Sequence, residues 1–370
     1  MIDVLIVGAG VSGLTAAVRC HEAGLQVAVV EAMDRIGGRV KSAMHEGSPI
    51  GDLGPSWVWP PWQSLSKCWF AELGIDTFPQ YEEGLGLLDF PGQLEKHPLP
   101  GQHGVARVAG GPRSIVVKLA ELLGGQAVQC GTLVHKLEQR ADYVAVHVDS
   151  AIAGPEIAER GFNDNIVEAR YVILAIPMRV ALESVRFEPE LPQDVRRQMS
   201  ETPTWMAAQV KVVAYYEEAF WREQGLSGRV ASRVGPLVEI HDHCGVNGDP
   251  AALFGFMGLT LAQRQEHSEE LSTLITEQLR RCFGEQAATP VKLWIEDWAR
   301  VSTVCSAADR MGQAQHPEVR PDSLRQSFMG GCLHFAGAEV ASESPGLIDG
   351  ALHAGEAAAK AVIKSLGEHR

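Results

Sequence analysis

The sequence predicts an α/β protein of two domains, and three observations lead to that prediction. Its 370 residues exceed the ~100–200 residues of a typical domain. Near the amino end, the apolar run Val4–Val7 leads into a glycine-rich turn and a helical stretch, and a second apolar run follows. Between His334 and Ile363 a strand, a glycine turn and an Ala-rich helix follow one another, so a large insertion separates the two ends.

The composition is that of a globular protein and excludes several classes. Hydrophobic residues make up 45% of the chain and charged residues 21%, which rules out a disordered chain, a collagen-like chain and a small disulfide scaffold. The formal net charge is −14. Nucleic acids and anionic membranes attract proteins with excess Lys and Arg, so neither is expected as a partner. A negative surface is compatible with cationic substrates, although it also simply favours solubility.

The cysteines and the amino terminus bear on location. The 7 cysteines include no C-x-x-C pair, which argues against a disulfide framework and a Cys-rich zinc site and favours a reducing compartment. The apolar first residues lack a basic leading segment and include Asp3, so we interpret them as structure and not as a signal peptide. The uncharged run Val4–Val18 is shorter than the ~20 apolar residues that span a bilayer. We therefore expect a cytoplasmic protein with no membrane partner.

The amino-terminal segment is typical of a strand–helix–strand unit. Val4–Val7 is all apolar, as in a strand that is buried on both faces. Leu14–Ala23 predicts a helix, and Gly24 stands at the usual position for its end. Leu25–Val30 predicts a second strand, which ends at Glu31.

Three glycines with the spacing G-x-G-x-x-G join the first strand to the helix. Gly8 permits the tight turn, Gly10 lets the backbone approach a pyrophosphate, and Gly13 lets the helix pack closely on the strand. The helix amino terminus presents free N–H groups and a partial positive charge to the phosphates. Glu31, at close to the expected spacing of ~20 residues, would accept hydrogen bonds from the adenosine ribose. The unit predicts dinucleotide binding; a purely structural glycine turn is the alternative.

A second glycine-rich element distinguishes between the two common dinucleotides. Residues 35–39 read RIGGR directly after the second strand, and residues 51–57 read GDLGPSW. A nicotinamide enzyme has no obvious need for this element. The longer FAD does, because its ribityl chain and ring must be held further along the crevice. We predict FAD as the cofactor, in contact with Gly54, Pro55 and Ser56.

These stretches resemble the flavin-containing amine oxidase family, which includes monoamine oxidases and polyamine oxidases. The similar segments are VLIVGAGVSGLTAA, VVEAMDRIGGRV, GDLGPSWV and, far away, HFAGAEVASESPGLIDGALHAGEAAAKAVI. The resemblance implies a discontinuous Rossmann-type FAD-binding domain (residues 1–60, 105–178 and 326–370). It also implies a substrate domain of a mixed sheet and helices (residues 61–104 and 179–325) that covers the flavin.

The remaining elements agree with that architecture. The predicted strands are Thr132–Leu137, Tyr143–Val148, Arg170–Ile176, Met206–Tyr216 and Val291–Trp298. The predicted helices are Arg113–Leu123 and Glu269–Phe283, the latter with Ser268 as its N-cap and Gly284 at its end. The polar stretch 149–168, with Gly154, Pro155 and Gly161, predicts a loop or hairpin.

Several residues match positions at which this family contacts its cofactor. Ser12 and Arg39 match phosphate contacts, although an ordinary surface salt bridge is the alternative for Arg39. Glu339 matches the position beside the phosphate and ribityl region, and Val134 matches a backbone contact to adenine. A glycine turn before Ile348 is expected to start the last helix, whose dipole would stabilise the anionic reduced ring.

One lysine is the predicted catalytic residue. Lys211 lies in the run QVKVVAYY, with Phe220 and Trp221 after it, and this segment resembles the family strand whose lysine holds a water beside the reactive flavin nitrogen. A lysine in so apolar a strand is costly to bury unless it meets water or an acceptor. The alternative is a solvated strand face, which Lys211 would share with Gln209.

The sequence also departs from the family pattern. Many amine oxidases sandwich the substrate amine between two aromatic rings; one of those positions is Leu347 here, and Pro55 replaces a customary glycine. We expect Trp57 and Trp298 to line, with Leu347, a different apolar substrate pocket. Trp59, Trp62 and Trp294 are further candidates for the wall of that pocket.

Covalent flavin and a metal are both unexpected. Some relatives attach flavin through a cysteine near the position of Cys305, but the spacing is two residues short and residues 303–306 look like those of non-covalent relatives. We therefore predict non-covalent FAD. The run His241–Cys244 contains possible metal ligands, yet adjacent ligands on a loop rarely converge on one ion, so we predict no metal site.

The predicted activity is that of an FAD-dependent amine oxidase. A hydride passes from the carbon next to an amine to flavin and then to dioxygen, which gives hydrogen peroxide and an imine that hydrolyses. A flavin desaturase or protoporphyrinogen-oxidase-like enzyme that acts on C–C bonds is the main alternative, and a non-catalytic binder on the same scaffold is the third. The partners are a small-molecule amine and dioxygen; the identity of the amine and the oligomeric state stay open.

Overall fold

The computed structural model describes residues 1–124, 127–150, 162–163, 165–312, 315–319 and 322–368. The strands in these ranges are β1 (Ile2–Val7), β2 (Val27–Val30), β3 (Ser42–His45), β4 (Ser48–Asp52), β5 (Trp57–Val58), β6 (Thr77–Pro79), β7 (Leu85–Phe90), β8 (Gln93–His97), β9 (Ala106–Val108), β10 (Val128–Gln129), β11 (Thr132–Gln139), β12 (Val144–Ser150), β13 (Phe162–Asn163), β14 (Ile166–Leu174), β15 (Arg186–Glu188), β16 (Val210–Tyr216), β17 (Leu226–Ser232), β18 (Leu237–Asp242), β19 (Ala251–Met257), β20 (Lys292–Asp297), β21 (Ser327–Phe328) and β22 (Leu333–Phe335). The α-helices are α1 (Val11–Glu22), α2 (Ser64–Leu73), α3 (Arg113–Leu122), α4 (Met178–Ser184), α5 (Gln193–Ser200), α6 (Phe220–Glu223), α7 (Leu261–Glu266), α8 (Leu271–Phe283), α9 (Ala307–Met311) and α10 (Ile348–Glu368).

The larger sheet contains the predicted strand–helix–strand unit. Its strand order is β10–β2–β1–β14–β12–β11–β15, and β22 lies along the carboxyl half of β14. Strands β10, β2, β1, β14 and β22 are parallel, whereas β11 and β12 pair antiparallel and β12 continues antiparallel onto β14. The central strands are buried on both faces, and this explains why Val4, Leu5 and Ile6 are all apolar. The predicted α/β class with a Rossmann-type sheet is confirmed.

Helices α1 and α10 pack against each other on one face of this sheet. The packing is close because small residues meet there: a Cβ on Gly355 of α10 would lie 2.4 Å from the carbonyl oxygen of Ser12. Helices α2 and α3 extend the same layer, and Trp69 and Ile115 are fully buried in its core. The two distant ends of the chain therefore meet directly.

The smaller sheet has the strand order β20–β16–β19–β18–β17–β7–β8. Neighbours pair antiparallel except β17 and β7, which are parallel. Its residues alternate between two apolar layers: Val210 and Val212 face a core shared with α8, while Val213 packs with the β3–β4 hairpin. Lys211 belongs by this alternation to the hairpin side, which lies between the two sheets.

Most predicted elements are confirmed, and the differences have local causes. The predicted strand Met206–Tyr216 starts only at Val210, because Met206 lies in a turn with φ of 59°. Ser268 is wrong as the N-cap of α8, since Glu270 occupies that position and no side-chain cap hydrogen bond forms there. Gly284 does end α8, and strand Arg170–Ile176 is observed as Ile166–Leu174.

Two further predicted boundaries differ. Strand β20 ends before Trp298, because the Asp297 side chain accepts a hydrogen bond from Ala299 N and starts a 3-10 turn. In the polar stretch 149–168, the predicted loop residues Gly154, Pro155 and Gly161 lie outside the described residues, whereas β12 and β14 occupy its two ends.

The predicted domain division stays a proposal, and two elements pack differently from it. Helix α2 lies within 61–104, yet Trp69 and Phe70 are buried in the core beneath the larger sheet. Strand β15 lies within 179–325, yet it forms an edge of the larger sheet by pairing with β11. Among the described helices, none combines the length and apolarity that a membrane span requires.

Candidate active site

A long cavity of about 1320 Å³ lies between the two sheets. Pockets for small molecules usually enclose ~300–1,000 Å³, so this cavity suits a large ligand or two ligands together. Its wall runs from the turn after β1, past the start of α10, to β16 and β19 of the smaller sheet. The predicted site residues on that wall are Gly8, Gly10, Ser12, Glu31, Arg39, Gly54, Pro55, Ser56, Trp57, Val134, Lys211, Trp298, Leu347 and Ile348.

The glycine turn after β1 is built for close backbone contact. Gly8 has φ of +103°, which L side chains rarely adopt. A Cβ on Gly13 would lie 1.9 Å from the carbonyl oxygen of Gly8, so α1 reaches the turn only with glycine at that position. Gly10 precedes α1 without a side-chain cap, and this leaves the first N–H groups of the helix available at the cavity wall.

Glu31 is fixed at the end of β2. Its carboxylate accepts hydrogen bonds from the backbone N–H groups of Ala9 at 2.8 Å and Met33 at 2.9 Å. Burial raises the pKa of Glu31, although these backbone hydrogen bonds oppose that shift. The side chain thus ties the glycine turn to the second strand, and its role toward a ribose stays a prediction.

Arg39 and Glu339 form an ion pair at the cavity wall. Arg39 lies on the wall, whereas Glu339, which is 1% exposed, lies behind it and does not line the cavity. The guanidinium donates to both carboxylate oxygens of Glu339, at 2.5 and 3.0 Å. Glu339 also accepts from the backbone N–H of Trp205 at 3.2 Å. Glu339 therefore holds the Arg39 side chain from behind the wall, and its predicted contact with a cofactor stays a prediction.

The last helix begins at the cavity wall. Gly346 has φ of +78°, and α10 follows from Ile348, so Leu347 and Ile348 both line the cavity. Asp349 in the first turn accepts a hydrogen bond from Ser66 N at 2.9 Å, which attaches α10 to α2. The helix dipole places a partial positive charge at this part of the cavity.

Lys211 is buried at the other end, with an exposed fraction of 3%. Its Nζ donates to the carbonyl oxygen of Gly54 at 2.8 Å and to Ser56 Oγ at 2.5 Å, and it lies 4.2 Å from the centre of the Phe254 ring. The alternative of a solvated strand face is wrong, because the β3–β4 hairpin covers that face. Lys211 and Gln209 do share a side, and both line the cavity.

Burial lowers the pKa of Lys211 to about 7, while the Asp52 carboxylate raises it and Arg107 lowers it. Asp52 directly precedes the turn that Lys211 binds. Its backbone N–H donates to His243 Nε2 at 2.8 Å, and burial lowers the pKa of His243 to about 3. The His243 ring is therefore neutral, and Arg107 supplies the positive charge nearest to Asp52, at 3.8 Å.

The tryptophans on the wall make specific contacts. Trp57 Nε1 donates to Gln80 Oε1 at 2.9 Å, and Trp298 Nε1 donates to the Leu53 carbonyl oxygen at 2.8 Å. Trp59 also lines the cavity, whereas Trp62 is 61% exposed and Trp294 packs in the layer between the hairpin and β16. Trp62 and Trp294 are therefore not part of this wall.

Several wall residues were missed by the sequence reasoning. Trp205 and His316 lie together, with ring centres 4.8 Å apart, and Glu239 and Phe256 come from β18 and β19. Strand alternation could have indicated Glu239 and Phe256, because each stands on the side of its strand opposite the apolar core that packs against α8. Trp205 carried no such signal, since it lies in an irregular segment.

Cys305 and the run His241–Cys244 do not line the cavity. Residues 302–304 line the cavity, but Cys305 does not, and burial raises its pKa to about 11. His241 binds Glu239, and His243 is held by Asp52 and Arg107. Within the described ranges, no group of three or more His, Cys, Asp or Glu side chains is arranged to hold a metal ion.

Comparison with known proteins gives a consistent result. Residues 96–363 match the family model described as flavin containing amine oxidoreductase, and residues 6–72 match a NAD(P)-binding Rossmann-like domain. The chain is 25% identical to amine oxidase [flavin-containing] A of Sus scrofa, over 100% of this chain and 86% of that protein. It is also 25% identical to amine oxidase [flavin-containing] B of Cavia porcellus, over 99% of this chain and 87% of that protein.

Solved structures match over nearly the whole chain. Wild-type putrescine oxidase bound to putrescine gives a TM-score of 0.79 at 23% identity, covering 98% of this chain and 99% of that one. Cyclohexylamine oxidase from Brevibacterium oxydans gives a TM-score of 0.79 at 20% identity, covering 99% of both chains. At these identities the structural likeness shows the fold.

Proposed function

This chain belongs to the flavin-containing amine oxidoreductases, and from that premise we propose that it is an oxidase that uses non-covalent FAD and dioxygen to oxidise the carbon next to an amine. Membership of this family means that the protein is an amine oxidoreductase with a flavin cofactor. The single observation that carries the finer proposal is Lys211, a buried amine on the wall of a cavity that begins at a dinucleotide-type glycine turn.

The residues along the wall fit FAD from end to end. The glycine turn and the free N–H groups of α1 suit a pyrophosphate, and Glu31 at the end of β2 suits the adenosine part. Arg39, which is paired with Glu339, offers a guanidinium on the same wall. The start of α10 and the Gly54–Ser56 turn would hold the ring end. Cys305 supports the non-covalent form, since it is off the wall and protonated at neutral pH.

When bound, the flavin supplies the two-electron oxidation of the amine and the transfer of those electrons to dioxygen, which is released as hydrogen peroxide. Lys211 contributes a water-binding group. A neutral lysine amine has two N–H donors and one lone pair; Gly54 O and Ser56 Oγ take the donors, so the lone pair is free to accept from a water in the cavity. The pKa near 7 makes this neutral form available at neutral pH.

The start of α10 contributes electrostatic stabilisation. Its amino terminus places backbone N–H groups and the positive end of the dipole at Leu347 and Ile348 on the wall. Negative charge that develops in this part of the cavity is stabilised without rearrangement, as in an oxyanion hole. Leu347 leaves this wall aliphatic, so substrate orientation relies on Trp57, Trp298 and Phe256.

A desaturase that acts on C–C bonds is the second candidate, and the non-catalytic binder the third. Lys211 supports the amine oxidase over the desaturase, because its buried amine stands on the cavity wall with a pKa near 7 and a lone pair free to bind a water. The complete glycine turn and the cavity that begins at it support an enzyme that holds a cofactor over a non-catalytic binder. A cytoplasmic location and the two-domain division proposed from the sequence belong to the same proposal.

The experiment is a colour and turnover measurement on the purified protein. We expect a yellow protein that bleaches when amines are added without air and that produces peroxide when air is readmitted. Bleaching without peroxide formation would indicate that an electron acceptor other than dioxygen reoxidises the flavin. A colourless protein that takes up no FAD would end the enzyme proposals altogether, and a yellow protein unaffected by a broad panel of amines would favour the desaturase.

A further inference from the structure

Four side chains lie in one row across the smaller sheet. On adjacent strands, Lys211 of β16 pairs with Glu296 of β20 on one side and with Phe256 of β19 on the other. Phe256 in turn pairs with Glu239 of β18. Residues that pair across adjacent strands project to the same face, so Lys211, Phe256 and Glu239 stand side by side, and all three line the cavity.

Glu239 presents its carboxylate to the cavity. The side chain is 40% exposed, and it accepts a hydrogen bond from His241, whose Nε2 lies 2.8 Å from Glu239 Oε1. The His241 ring is itself held by an edge contact with Trp57, with ring centres 4.8 Å apart. The hydrogen bond from His241 lowers the pKa of Glu239, so the carboxylate is ionised at neutral pH. Arg229 also acts on this charge from a distance, but it donates to the Pro100 carbonyl oxygen.

The other carboxylates on the described wall accept hydrogen bonds from backbone N–H groups. Glu31 accepts two backbone hydrogen bonds at the dinucleotide end. Glu183 accepts from the backbone N–H of Ala307 at 2.9 Å. Glu239 alone among the wall carboxylates of the described ranges shares the row of Lys211.

The spacing defines the kind of ligand that would reach both groups. Strands lie ~4.8 Å apart, so Glu239 stands two strands, or about 10 Å, from Lys211 along the sheet. The wall between them is the ring of Phe256, with Trp57 nearby at 6.3 Å between ring centres. A ligand lying along this row would have an amine at one end, an apolar middle and a second cation at the other end.

We propose that Glu239 binds the distal ammonium group of a linear aliphatic diamine while the other amine is oxidised beside Lys211. This inference rests on the proposed amine oxidase function and adds the substrate class. An ammonium ion in contact with a carboxylate forms a charge-assisted hydrogen bond, and a monoamine of the same length offers only a methyl group there.

The test compares 1,5-diaminopentane with n-hexylamine, which has a methyl in place of the second amine. For the flavin-loaded wild-type enzyme we expect kcat/KM to be about 10- to 100-fold higher for the diamine. In E239Q this preference is expected to fall to within about threefold, mainly through a higher KM for the diamine. E239D, which keeps the charge, is expected to restore part of the preference.

The control is E95Q. Glu95 forms the same type of Glu-x-His pair with His97, at 2.8 Å, but on the exposed edge strand β8. We expect E95Q to keep the wild-type preference. Equal kcat/KM for the two amines in the wild-type enzyme would overturn the inference while amine oxidation itself stands, and so would an equal loss for both amines in E239Q. That wild-type comparison needs no variant; if neither amine bleaches the flavin, the proposed function fails first.

Discussion

The two ends of the cavity are built by different means. At the dinucleotide end, backbone atoms form the cavity wall. They belong to a glycine with φ of +103°, to a helix start without a side-chain cap and to two N–H groups that hold Glu31. At the Lys211 end, they come from side chains on a sheet and from a buried group of Asp52, Arg107 and His243. The first end depends on space and conformation, and the second depends on charge and desolvation.

This difference has a consequence for mutation. A change at the dinucleotide end should alter cofactor retention and stability together, because the same atoms form the fold and the binding surface. A change at the Lys211 end should alter the reaction while the cofactor stays bound. Substitutions at the two ends therefore test whether folding and chemistry are separable in this way.

The largest effect is expected from K211M. We expect the rate of flavin reduction by amine to fall ~10²–10⁴-fold, because positioned groups of this kind contribute that much to proton handling. FAD should remain bound at wild-type stoichiometry, because the glycine turn after β1 and the start of α1, which suit its pyrophosphate, make no contact with Lys211. Anaerobic stopped-flow measurement of flavin bleaching gives the rate, and the visible spectrum gives the FAD content. An unchanged rate would remove Lys211 from the mechanism.

The second prediction uses the same variant for stability. The pKa of Lys211 falls from 10.5 to about 7 on folding, so the unfolded chain binds the extra proton between these values. The free energy of unfolding therefore rises as the pH increases from about 7 to 10.5. Below pH 7 the folded protein carries the charged Lys211 and is destabilised by its full desolvation cost. Wild type should gain roughly 3–5 kcal/mol relative to K211M across that window.

Urea unfolding of the two proteins at pH 6.5 and pH 10 measures this difference. Lys41, which is part-exposed and pairs with Glu296, provides a control as K41M. A parallel response of wild type and K211M to pH would show that Lys211 is not titrating in the folded protein as proposed.

The third prediction concerns G13A, at the dinucleotide end. A methyl group would meet the Gly8 carbonyl oxygen at 1.9 Å, so α1 must shift away from the turn. We expect a loss of about 1–3 kcal/mol of stability together with loss of FAD. A methyl group on Gly367, near the end of α10, would meet no atom within 4 Å, so G367A should leave both unchanged. Retention of FAD by a destabilised G13A protein would contradict the proposed link between folding and cofactor binding.

The smallest effect is expected from C305S. Cys305 is buried beside the wall but not on it, so the substitution should change neither flavin content nor turnover by more than about twofold. After acid precipitation, the yellow colour should remain in the supernatant for wild type and C305S alike. Colour that stays with the wild-type pellet but not with C305S would establish covalent attachment.

The sequence by itself determined the dinucleotide end. Gly8, Gly13 and the apolar strand before them define a backbone conformation that few other residues permit, and such requirements can be read from residue type and spacing alone. The apolar strand around Lys211 and its resemblance to a family segment indicated the lysine, whereas strand alternation left open a solvated face shared with Gln209. The position of Ser268 was misread because hydroxyl residues near a helix start are common and only the backbone selects the cap.

The tertiary structure alone decided what surrounds Lys211 and Glu239. The β3–β4 hairpin covers the face on which Lys211 stands, and the register of β18 and β19 brings Glu239 into its row. Glu339 lies behind Arg39 for the same kind of reason, since the two residues come from opposite ends of the chain. Charge, burial and pKa depend on which segments meet in space, and pairings between residues hundreds of positions apart leave no periodic trace in one sequence.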